Sequence, residues 1–114
     1  MDIRYDRPAL LRLTRLDRRP GVGCIAVTGD VDMSTGDEFR RTVTRELHRP
    51  GLRTLLLDVG SLRFIDSNGV AVLIMTHRMA GDRGLSFAVV NAGPRIRTVL
   101  ELMGVYEMLT ADRR

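Results

Sequence analysis

Leu11-Arg12-Leu13-Thr14-Arg15-Leu16 mostly alternates apolar and polar side chains, the period of a half-buried strand. Arg18-Arg19-Pro20-Gly21 is turn chemistry, because Pro presets φ and Gly admits φ > 0. Val22 to Thr28 then predicts a second strand, antiparallel to the first. Gly21 and Gly23 imitate a phosphate loop, but they precede a strand and open no helix, so a turn is the better reading. Gly29-Asp30-Val31-Asp32 follows, after which Phe39, Val43 and Leu47 repeat every four residues. They mark the buried stripe of a helix that Asp32, Ser34 or Thr35 can cap and Pro50-Gly51 stops. Thr54 to Val59 is a short continuous apolar run, the pattern of a central parallel strand.

Leu62-Arg63-Phe64-Ile65 leads into Asp66-Ser67-Asn68-Gly69 and an apolar stretch, Val70 to Met75, that turns polar at Thr76-His77-Arg78. This predicts a second helix, largely buried at its start, with Gly81 and Gly84 bracketing the turn that follows. Leu85 to Val90 predicts another strand. Gly93-Pro94 opens a third helix, with Pro at its first position, apolar residues at Ile96, Val99, Leu100 and Met103, and a stop at Gly104. Tyr106 to Leu109 suits a short edge strand, and Thr110 to Arg114 a frayed end. The order β-β-α-β-α-β-α predicts an α/β domain: a mixed sheet of four to five strands, an N-terminal hairpin, and three or more helices packed on it.

Composition narrows this. At 114 residues, 44% hydrophobic and 28% charged, the chain has the length and balance of one domain, with a core expected over about residues 9–109. No apolar run approaches the roughly 20 residues of a membrane span, and Met1 to Asp6 has no signal-peptide pattern, so a cytoplasmic address is expected. Cys24 is the single cysteine, which excludes an internal disulfide and a cysteine-built metal site. All 18 basic residues are arginine and the net charge is +4, but the arginines are scattered. With two Tyr, three Phe and no Trp there is little to stack bases on, so no direct nucleic-acid partner is expected.

The candidate chemistry centres on Ser67. A serine at a helix N-terminus sits beside unpaired backbone N–H groups and the positive end of the macrodipole. The plainer reading is that Asp66 caps the helix, Ser67 and Asn68 are first-turn residues, and Gly69 permits close packing. A hydrolase triad of Ser67, Asp66 and His77 fails, because the nucleophile-elbow pattern is absent and His77 lies ten residues down the same helix, about 15 Å by helical rise. His48 and His77 are too few for a metal site, no cofactor is expected, and no enzyme activity is predicted. Cys24 reads as a core residue. The six methionines read mostly as core filler, with Met75 or Met79 as possible exposed exceptions.

Three stretches carry a family resemblance: Gly29-Asp30-Val31-Asp32 with Thr35, Phe64-Ile65-Asp66-Ser67-Asn68-Gly69, and Gly93-Pro94 to Gly104-Val105. Together they resemble the STAS domain, shared by bacterial anti-sigma factor antagonists and the cytoplasmic tails of sulphate transporters. Within the antagonist branch the resemblance implies a STAS-like fold and a bacterial, cytoplasmic partner-switching phosphoprotein. It further implies that the unphosphorylated form binds an anti-sigma factor serine kinase and frees the sigma factor. Phosphorylation of Ser67 ends that binding, and a metal-dependent, PP2C-like serine phosphatase restores it. The partner surface implied comprises Asp30, Asp32, Met33, Thr35, Asp66, Asn68 and Gly69. Asn68 and Val70-Ala71 depart from commoner family residues, and Asn68 and Met33 are the expected specificity positions. Two other readings fit the same sequence: a STAS subunit of a larger transport or stress-sensing complex, and a nucleotide- or anion-binding regulator.

Overall fold

The computed structural model describes residues 10–17 and 19–111, so Arg18 and the last three residues of the expected frayed end lie outside it. Strands β1 (Leu11–Arg15) and β2 (Val22–Val31) form the hairpin. They are followed by α1 (Gly36–Leu47), β3 (Thr54–Ile65), α2 (Ser67–Asp82), β4 (Ser86–Val90), α3 (Pro94–Leu102) and α4 (Tyr106–Thr110). The sheet has four strands in the order β1-β2-β3-β4. β1 pairs antiparallel with β2, while β2–β3 and β3–β4 are parallel.

That order never reverses. Right-handed crossovers through α1 and α2 therefore fall on one face of the sheet. Ile25, Val27 and Val31 of β2, Leu55, Leu57 and Val59 of β3, and Phe87 and Val89 of β4 point into that layer. They join Phe39, Val43 and Leu47 of α1, Val70 and Leu73 of α2, Ile96 and Leu100 of α3, and Leu109 of α4 in a single core. The helical stripes expected from the sequence are thus the buried ones, except that Val99 is half-buried and Met103 exposed.

Four expectations change. Tyr106 to Leu109 is helical and not an edge strand. Gly104, at φ 72°, turns the chain, Val105 N–H closes back on Leu100 O at 3.0 Å, and one helical turn then buries Leu109 while Tyr106 lies 4.6 Å beneath the Arg97 guanidinium. β2 runs on through Gly29 to Val31 and β3 through to Ile65, because register shifts at Ala26/Thr28 and Gly29/Asp30 let the pairing continue. Gly29, at φ 104°, brings β2 against β1 so closely that a Cβ there would lie 2.0 Å from Leu10 O. Gly81 is inside α2, and Gly84, at φ 71°, ends it. Cys24 is half-buried on the sheet face opposite the helices, outside the core.

Candidate functional site

The parallel pairing carries β2 and β3 to the same end of the sheet, where Val31 lies opposite Ile65. There the Asp66 N–H donates to Val31 O at 3.1 Å, which holds the start of α2 beside the loop that leads to α1. Asp66 is the N-cap, and its Oδ1 accepts from Gly69 N–H at 3.0 Å. Gly69 is buried, and a Cβ there would lie 2.6 Å from Ile65 Cγ1 and 2.8 Å from Val31 Cγ1. Only a residue without a side chain lets the first turn settle this deeply. Ser67 and Asn68 consequently stand exposed at the head of a 16-residue helix. Their backbone N–H groups, as first-turn donors, have no acceptor within the helix.

The neighbouring loop is built by its own side chains. Asp32 Oδ1 accepts from the Ser34 hydroxyl at 2.7 Å and from Ser34 N–H at 2.8 Å. These bonds, the Ser34 hydroxyl first, hold the Asp32 carboxyl below the usual carboxylate range. Thr35 is the N-cap of α1, but its hydroxyl makes no cap bond. It is buried, donating to Asp30 O at 2.8 Å and accepting from Asp32 N–H at 3.0 Å. Asp30 Oδ2 accepts from Arg63 Nη2 at 3.1 Å. The carboxylates expected beside Ser67 are therefore all engaged: one caps a helix, one ties a loop, and one is neutralised by an arginine.

Among the residues named from the sequence, Asp32, Met33, Asp66, Ser67 and Asn68 present atoms around one end of the sheet, whereas Thr35 and Gly69 support that surface from beneath. Three features went unread. Arg63 offsets Asp30, and Phe64 is 49% exposed at the end of β3. Leu10, whose carbonyl accepts from Asp30 N–H at 2.8 Å, is exposed beside them. The break in alternation at Arg63-Phe64 is the sequence signal for this, since strict period two cannot bury both Leu62 and Ile65. Met33, named for the partner surface, is 86% exposed; the other methionines differ from expectation, since Met103 and Met108 are exposed, whereas Met75 and Met79 are half-buried against the core. Among the described residues no group of three or more His, Cys, Asp or Glu could hold a metal, and no helix is long and apolar enough to cross a membrane.

Known proteins share this architecture. The chain is 22% identical over 94 residues to an anti-sigma F factor antagonist of Paenibacillus polymyxa, covering 82% of this chain and 80% of the relative. It superposes on the crystal structure of an anti-sigma factor antagonist from Mycobacterium paratuberculosis with a TM-score of 0.78, at 24% identity, covering 88% and 83% of the two chains. The anti-sigma factor antagonist SpoIIAA in its unphosphorylated form gives 0.74 at 17% identity, covering 90% and 89%. SpoIIAA of Bacillus in its phosphorylated form gives 0.68, also at 17% identity, covering 90% and 92%. The STAS domain family model matches residues 14–113, from the first strand past the last helix and through the Ser67 junction, and the chain belongs to that family.

Proposed function

We propose that this protein is an anti-sigma factor antagonist, controlled by phosphorylation of Ser67. In this reading the unphosphorylated form binds an anti-sigma factor that is also a serine kinase, and so releases the sigma factor. The kinase then uses ATP to phosphorylate Ser67, and a PP2C-like phosphatase reverses the modification. The observation that carries the proposal is the exposed Ser67 at the head of α2, with the capping role already filled by Asp66. Its hydroxyl is free for chemistry without cost to the helix. The name of the Paenibacillus relative supports the same reading.

Phosphorylation would add about −1.5 to −2 charges. The first-turn N–H groups of α2 would hold the phosphate where it forms. Exposed Met33 and Phe64 beside it suit an apolar contact that a dianion disrupts. A loss of about 3 kcal/mol already weakens affinity more than a hundredfold. Because Asp30 and Asp32 are occupied by Arg63 and by their own loop, the switch is the new charge itself and needs no rearrangement of the sheet. The test is incubation with the cognate kinase and ATP, read by mass. One phosphate is expected, absent in Ser67→Ala, which still binds the kinase. Incorporation at another residue contradicts the assignment.

A further inference from the structure

All-parallel sheets almost always have both faces covered; this sheet, parallel from β2 to β4 with β1 antiparallel, carries helices on one face. Here the core-forming helix residues all join the layer on one face, while β2, β3 and β4 turn a second apolar set the other way. Val22, Cys24, Leu56 and Val90, with Leu16 beyond the end of β1, form the floor of a cleft of about 340 Å³ on that helix-free face. Its size lies within the range of small-molecule clefts, about 300–1,000 Å³.

The two ends of the cleft differ in charge. At the far end, Asp58 is held by Asn91 Nδ2 at 3.1 Å and Gly60 N–H at 2.9 Å. At the near end the cleft shares Arg19 and Val22 with a second hollow, of about 560 Å³, that also reaches Arg53. Arg19 and Arg53 are exposed, and neither forms an ion pair among the described residues. Among the described residues Arg53 Nη2 donates to Pro20 O alone, at 3.2 Å. An apolar floor with two guanidinium groups at one end is complementary to an anion with an apolar tail, while Asp58, already bonded to Asn91 and Gly60, bounds the far end.

We infer that the helix-free face is a binding site for a small amphipathic anion, a hydrocarbon chain with a carboxylate or phosphate head, its head on Arg19 and Arg53 and its chain over Leu56 and Val90. The site lies at the hairpin end of the sheet, and its claim is independent of Ser67. Titration of the full chain with decanoate below its micelle concentration should give saturable shifts of the Leu56 and Val90 methyl resonances, and should slow alkylation of Cys24, roughly tenfold at ten times Kd. Decyl phosphate in parallel tells which head the arginines prefer. Charge reversal by Arg19→Glu with Arg53→Glu, both on the surface, should weaken binding by about tenfold or more. Several results overturn the inference: no saturable shift, equal binding of decyltrimethylammonium, or unchanged affinity in the double variant. Shifts centred on Met33 and Phe64 do the same. Concentration-dependent shifts of Leu56 and Val90 without ligand would assign the face to a second copy. The same shifts on deleting residues 1–9 would assign it to the chain's own N-terminus. Either also overturns the inference.

Discussion

The two ends of the sheet use their charges in opposite ways. At the hairpin end, Glu46 is buried at 6% exposure and accepts from Arg15 Nη2 at 2.8 Å and Arg49 Nη2 at 2.9 Å. Arg49 also binds Asp17, which in turn accepts from Cys24 N–H at 3.0 Å. Side chains there are tied to side chains, clamping α1 to the hairpin. At the Ser67 end, Asp32 accepts from the hydroxyl and N–H of Ser34 and Asp66 from the Gly69 N–H, and each shapes a loop or a helix start within its own segment. The first arrangement holds the fold. The second leaves the Ser67 hydroxyl exposed at a capped helix start. A modification can therefore change the surface at Ser67 without loosening the domain.

Substitutions at the two ends should separate stability from binding. Glu46→Ala, which takes from Arg15 and Arg49 their shared partner and two charged hydrogen bonds, should lower unfolding free energy by about 3 kcal/mol in urea titration and leave kinase binding by the folded protein unchanged. Gly69→Ala should cost about 2 kcal/mol by crowding Ile65 and Val31, and unlike Glu46→Ala it should also weaken kinase binding, because it lifts the start of α2. Asp66→Ala removes only a cap, about 1 kcal/mol. If Asp66→Ala proved more destabilising than Glu46→Ala, the contrast between the ends would fail.

Acid should expose the same difference more gently. The Asp17 carboxyl is lowered chiefly by its bond to Arg49, and that of Asp32 chiefly by the Ser34 hydroxyl. A depressed folded-state pKa contributes stability above the unfolded value, about 3.9, and that stability is lost as pH falls through the folded value. Urea midpoints should therefore fall as pH drops below about 4. Asp17→Asn should flatten this acid limb, with its stability deficit largest at neutral pH. A limb as steep in the variant as in the parent would contradict the pairing with Arg49.

The architecture was legible wherever periodicity was strong. Phe39, Val43 and Leu47 stand on the buried stripe their spacing requires, and Asp66-Ser67 falls at a strand-to-helix junction. Tyr106 to Leu109 was not legible, since one helical turn is too short to show a 3.6-residue period and its helicity depends on burying Leu109. Cys24 reads as core from its place in a strand, yet its face is set by strand register, and both faces of β2 are apolar enough to mislead. At the site, the positions of Ser67 and Asp66 were readable. The neutralisation of Asp30 by Arg63 joins residues 33 positions apart and follows only from parallel pairing.

Affinity for the cognate anti-sigma kinase, measured for the parent, Ser67→Ala and Ser67→Asp by calorimetry alongside their urea midpoints, tests the account most directly. Ser67→Ala should bind like the parent, Ser67→Asp should bind at least about a hundredfold more weakly, and all three should unfold within about 0.5 kcal/mol of one another. Parent-like binding by Ser67→Asp, or weak binding explained by a lost fold, would contradict it.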